Sequence, residues 1–220
     1  MTSKRKVTNE LIQLCKERME PYACTGFLMG AGKEDAEIML VGEAPGRQEV
    51  IENRPFIGKA GQVMDDYFTW LGLTREDVYI TSVIRSRPYQ KTKPGYEKPI
   101  DQRGNRTPNQ AEILAHAPLL DAQIEEVDPK VIVTLGGVAF RRLTGMKERL
   151  TDVHGTPFQA NILQVESLES NRYIPSDKTY TIFPTFHPAS IFYNQKLKVA
   201  IEDDMQKLKD YLTTEIQLKR

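Results

Sequence analysis

Cysteine is nearly absent from this chain of 220 residues: Cys15 and Cys24 are the only two, with eight residues between them. Such a pair supplies neither a disulfide framework nor a four-thiolate metal site, so no metal is expected. Net charge is lacking too, because 30 Lys and Arg face 30 Asp and Glu. A polyanionic partner would then have to be held by a local basic patch, not by the field of the whole molecule. No apolar run approaches the roughly 20 residues of a membrane span. The opening MTSKRKVTNE has no apolar leader core. These absences predict a cytoplasmic protein with no membrane partner. Neither an internal repeat nor a composition shift argues for more than one domain over 1–220.

What is present alternates between two periodicities. Apolar residues recur at helical spacing over 9–22, behind the plausible cap Thr8, and again over 63–73, over 108–127 behind Thr107 and Pro108, over 138–143 and over the tail 196–220. Short β-branched runs at 38–41, 77–85, 129–135 and 180–186 read as buried strands, and 158–165 is a further candidate. A Gly-rich connector at 26–32 ends the N-terminal segment 1–36, and 168–178 reads as a polar insertion. Strands alternating with helices predict an α/β fold: a three-layer α/β/α sandwich around a central four-stranded, mainly parallel sheet.

The stretch 38–61, IMLVGEAPGRQEVIENRPFIGKAG, organises the rest. Its strand breaks at Gly42-Glu43-Ala44-Pro45-Gly46, where glycine permits a sharp turn and a carboxylate arrives at the carboxyl edge of the sheet, the usual ligand site of open α/β folds. Phe56 follows on a Pro-bounded turn. Strand ends should bring Glu43, Ser82, Arg85 and His187 to that same edge. The alternatives are a tight strand-to-helix turn with a core Phe, and for His187 a capped turn histidine.

The segment GEAPG followed by EVIENRPFIGKAG resembles the first signature of the uracil-DNA glycosylase superfamily, family four in particular, and His187-Pro188-Ala189-Ser190 resembles the second. Weaker likenesses lie at 79–88, 104–108 and 131–137. The resemblance implies a monofunctional DNA glycosylase that flips uracil or a related deaminated base out of single- or double-stranded DNA and hydrolyses its glycosidic bond. It further implies base excision repair, a monomer, and the following roles. Phe56 stacks on the base, within a pocket shared with Gly42 and Ala44. His187 donates to the base O2 as charge develops there. Glu43 orients water or stabilises the cationic sugar. Glu49 stands near C5 and helps to exclude thymine, or is a solvated loop carboxylate. Ser82 stands where the family has an asparagine that reads O4 and N3–H, and one hydroxyl cannot bridge both atoms. The family's four-iron, four-sulfur cluster needs four cysteines; here its third position reads Ser86 and its fourth falls at or beside His116, so no iron–sulfur cluster or other cofactor is expected.

From 85 to 107 seven cations, Arg85, Arg87, Lys91, Lys93, Lys98, Arg103 and Arg106, stand against Glu97 and Asp101. This loop, 86–107, reads as a phosphate clamp or as a solvated insertion. Ser190 and Ile191 would touch DNA as well, with Ile191, Phe192 and Tyr193 offering an apolar wedge or packing the last helix. A rival is a DNA-binding or damage-sensing module with a weakened pocket, recommended by Ser82 and the missing cysteines. A small-molecule enzyme using 42–46 as a phosphate cradle is disfavoured, since the turn lacks the lysine and hydroxyl of a P-loop.

Overall fold

The computed structural model describes residues 6–217. Helix α1 (Asn9–Met19) is capped by Thr8, whose hydroxyl accepts from the Leu11 amide at 3.2 Å. Strand β1 (Cys24–Thr25) and strand β2 (Ala31–Gly32) follow. Strand β3 (Ile38–Gly42), wholly buried, runs into helix α2 (Arg47–Glu52) and helix α3 (Gly58–Leu71). Then come β4 (Val78–Ser82), β5 (Arg87–Pro88), α4 (Gln110–Val127), β6 (Val131–Leu135), α5 (Gly137–Thr144) and α6 (Leu150–Val153). The hairpin β7 (Phe158–Val165) and β8 (Tyr173–Thr185) leads to α7 (Leu197–Tyr211).

The sheet is six-stranded, in the order β2-β4-β3-β6-β8-β7. Its centre, β4-β3-β6-β8, is the parallel four-stranded unit expected from the apolar runs, but both edges carry an extra antiparallel strand. β7 coincides with the strand candidate at 158–165, whereas β2, with only two exposed residues in a Gly-rich connector, needs no apolar run and leaves no such mark in the sequence. The supposed insertion at 168–178 is largely the first half of β8, a 13-residue strand.

Strand side chains alternate between two cores. Ile38, Leu40, Val133 and Leu135 pack with Met64 and Phe68 of α3 and with Ile201, Met205 and Leu208 of α7. Met39, Val41 and Ile132 face Ile113, Leu120 and Ile124 of α4 and Leu143 of α5. The cap of α4 is Asn109, not Thr107. The Asn109 side chain accepts from the Glu112 amide and the Glu112 carboxylate accepts from the Asn109 amide, both at 2.9 Å, the reciprocal arrangement that satisfies two orphan donors. Of the helix expected over 196–220, α7 is followed by a π turn at Leu212–Ile216, and 218–220 lie outside the described residues.

Candidate active site

Parallel strands end together, so Gly42 of β3 pairs with Ser82 of β4 while β6 and β8 deliver Gly136 and His187 beside them. A pocket of about 420 Å³ opens there, lined by Gly42, Ala44, Glu49, Phe56, Ser82 and His187, and also by Asn105.

Phe56 is the most constrained element. Its backbone is left-handed, φ 49°, which a bulky residue adopts only when its surroundings over-determine it. The Glu49 carboxylate supplies the constraint by accepting from both the Phe56 and the Gly46 amides. Arg75 fastens the same turn through the Pro55 carbonyl at 2.8 Å. Gly61 is obligatory, since a Cβ there would lie 2.0 Å from the Phe56 carbonyl oxygen. A Cβ at Gly42 would sit 3.2 Å from the Phe56 ring, so glycine lets the ring lie against the strand end. Glu49 is therefore no solvated loop carboxylate. Burial pushes its carboxyl up, opposed by those two amide bonds and by Arg75.

The Phe56 and His187 rings are stacked, centroids 5.5 Å apart at 27°. His187 Nδ1 accepts from the Ala189 amide at 3.1 Å, which assigns its proton to Nε2. Burial drives the imidazole down to about 4, so at neutral pH it is an uncharged donor. The strand end behind it is anchored: Thr185 donates to the wholly buried Asp204 at 2.6 Å, and Asp204 also meets His154 Nδ1 at 2.8 Å. Glu43 is half-buried beside the pocket, its carboxyl raised by burial against a Thr107 hydrogen bond and the charge of Arg141. Ser82 donates its hydroxyl to the Ile84 carbonyl at 2.7 Å, leaving only lone pairs for a ligand.

Three of the loop cations are not phosphate ligands waiting in solvent. Arg85 has no exposed surface and Arg87 has 2%. Arg87 donates to Asn105 Oδ1 at 2.5 Å and to the Ile100 and Arg103 carbonyls. Arg106 donates two hydrogen bonds to the carboxylate of the buried Glu112, at 2.5 and 2.8 Å. These arginines stiffen the loop, which also pairs β5 with β1 and bridges Tyr89 to Asn105. Arg103 lies over the Tyr89 ring and donates to the Lys98 carbonyl at 2.7 Å. Lys91, Lys93 and Lys98 are exposed and, among the described residues, unpaired. Ile191 packs against the core, which leaves Phe192 and Tyr193, 49% and 92% exposed, as the projecting rings. Ser190 Oγ is buried without a partner among the described residues, and its amide donates to the His187 carbonyl at 2.8 Å.

Sequence reading missed Asn105. Arg87 fixes its Oδ1, so Nδ2 is the end left for the pocket, near Gly46. The clue was its place in 104–108. It also missed Arg141, visible only once α5 folds it back over Gly137 toward Glu43.

The donors do not fit a four-iron cluster. Buried Cys15 faces Arg85 and the Leu119 backbone, whereas Cys24 lies against Glu112 and Arg106. Among the described residues no three His, Cys, Asp or Glu side chains converge as metal ligands.

The family model described as "Uracil DNA glycosylase superfamily" matches residues 29–212. A type-4 uracil-DNA glycosylase of Saccharolobus solfataricus is 35% identical over 190 residues, 84% of this chain and 76% of that one. One of Sulfurisphaera tokodaii is 33% identical, covering 97% of this chain and 87% of its own. One of Thermotoga maritima is 32% identical, covering 94% and 97%.

Proposed function

The chain belongs to the uracil DNA glycosylase superfamily, and from that premise we propose that it is a monofunctional, family-four type enzyme that hydrolytically excises uracil from DNA. The whole chain acts as one domain in this reading, as a cytoplasmic monomer. The observation that carries it is the pair of Phe56 and an uncharged His187 whose Nε2 alone bears the proton, set in one pocket at the carboxyl edge of the sheet. A flipped base stacks on Phe56. Nε2–H meets O2, where negative charge grows as the glycosidic bond breaks. Glu43 holds water or the cationic sugar, while Glu49 keeps the ring in place and narrows the space beside it. Among the described residues no lysine lines the pocket, which supports hydrolysis over Schiff-base chemistry.

Incubation with a uracil-containing oligonucleotide should release free uracil and leave a site that breaks only in alkali. Scission without alkali would call for a lysine nucleophile. Tight binding with no release would favour the damage-sensing alternative, whose supporting observation is the Ser82 hydroxyl spent on the Ile84 carbonyl.

That same bond sets a prediction for base recognition. Ser82 Oγ can accept from N3–H of uracil but has no hydrogen for O4, which falls to Asn105 Nδ2 or to water. An unsatisfied buried polar atom costs about 1–3 kcal/mol, roughly 5- to 150-fold in rate when expressed at the transition state. Ser82→Asn should therefore raise kcat/KM on uracil and sharpen its preference over cytosine. A wild type already fast and selective on uracil, and harmed by Asn, would show that Ser82 belongs to another recognition scheme.

With Arg85, Arg87 and Arg106 committed inside the protein, the exposed lysines carry the phosphate reading of the loop. Replacing Lys91, Lys93 and Lys98 together with alanine should reduce the slope of log K against log salt by about 0.7–0.9 per lost contact, whether or not uracil is present. An unchanged slope would make this loop a solvated insertion.

A further inference from the structure

Arg85 is a wholly buried guanidinium that forms, among the described residues, no ion pair. Such a group is costly to bury, and an apolar residue of the same volume is often equally or more stabilising. Its contacts indicate what the chain gains instead. One terminal nitrogen donates to the Ser82 carbonyl and the other to Gln123 Oε1 on α4. Gln123 Oε1 also accepts from the Thr81 hydroxyl at 2.8 Å, and Gln123 Nε2 donates to the Tyr79 hydroxyl at 3.0 Å. The Arg85 carbonyl accepts from the Leu28 amide at 2.8 Å. Tyr79, Thr81 and Ser82 all belong to β4, with Ser82 at its carboxyl end, and Leu28, Thr81 and Ser82 line the pocket. One arginine thus ties two walls of the pocket to the buried helix behind them.

Behind it lie the Cys15 thiol and His116, both without exposed surface, His116 packed on the Phe27 ring at 5.5 Å with neither ring nitrogen partnered among the described residues. Both groups lie within reach of the Arg85 charge.

We infer that Arg85 is a positioning residue for base recognition: through Ser82 and Gln123 it fixes the carboxyl end of β4 at the angle the base requires, a brace made of protein alone. The inference rests on the uracil-excision reading. Its test is Arg85→Met measured beside the wild type on matched uracil and cytosine oligonucleotides, in single turnover, with thermal unfolding alongside. Met should leave Tm within a few degrees of the parent or above it, yet lower the uracil rate about 10-fold or more and erode selectivity over cytosine, the scale of one lost charge-assisted hydrogen bond. Arg85→Lys, which keeps the charge but on a single donor nitrogen, should recover part of both. A Met variant with parental rate and selectivity would overturn the proposal. A wild type that releases no uracil would instead overturn the proposed function. If the Met variant fails to fold, Gln123→Met decides: it cuts the brace on the α4 side and should show the same loss of selectivity, and parental selectivity there would equally overturn it.

Discussion

Replacing His187 with alanine should slow single-turnover excision of uracil by about 10²–10³-fold, the usual cost of removing one donor aimed at a developing oxyanion. DNA affinity should change little, because an uncharged ring buried in the pocket offers no charge to a phosphate. The tautomer decides this. Nδ1 is occupied by the Ala189 amide, so the only proton points from Nε2, and burial holds the ring uncharged down to about pH 4. The rate should consequently show no inflexion near 6.5, the ordinary histidine value. Stability provides a second readout. The unfolded chain takes up His187's proton near 6.5 and the folded chain only near 4, so lowering the pH through that window destabilises the wild type. Above 6.5 the two states agree and the contribution vanishes. His187→Ala should lose less stability across the same window. Equal excision rates in mutant and parent would remove His187 from the mechanism.

Glu43→Gln should cost more, about 10²–10⁴-fold, the range for a positioned group that handles a proton or orients water in the transition state. The carboxylate must be ionised to do either. Burial raises its carboxyl, although Thr107 and Arg141 oppose the rise, so the wild-type rate should fall as the pH drops through a value above the ordinary 4.5. Glutamine keeps the shape and the Thr107 contact but cannot titrate. Its residual rate should be flat over that acid limb, whereas His187→Ala should retain the limb. An acid limb unchanged in the glutamine variant would assign it to another group, and Glu49 is the one to test next.

The central sheet was legible because it is buried on both faces: continuous apolar runs at 38–41 and 131–135 have no other economical use. Of its edges, β7 was legible at 158–165, but β2 was not, since a strand of two exposed residues carries no such pattern. Gly42, Glu43, Phe56 and His187 were legible as a group because two separated segments had to meet at one sheet edge. The work of Glu49 was hidden, because a side chain that caps its own loop's amides looks in sequence like any surface glutamate. The seven cations of the loop were indistinguishable by type, yet they divide by partner. Arg87 and Arg106 are claimed by carbonyls, Asn105 and Glu112, while the lysines remain outside. Arginine's planar fork suits it to such internal ties, and lysine's hydrated ammonium does not. Arg85 was misplaced for the same reason, since the sequence showed its charge but not Gln123 facing it from α4.

One assay bears most directly on the claim that this pocket excises uracil. Oligonucleotides identical except for uracil, hypoxanthine, xanthine, cytosine or thymine at one position are incubated with excess protein and then treated with alkali. Rapid conversion is expected at uracil, none at thymine, and little or none at cytosine. Intact uracil DNA after prolonged incubation, or cleavage that does not depend on the base, would contradict it.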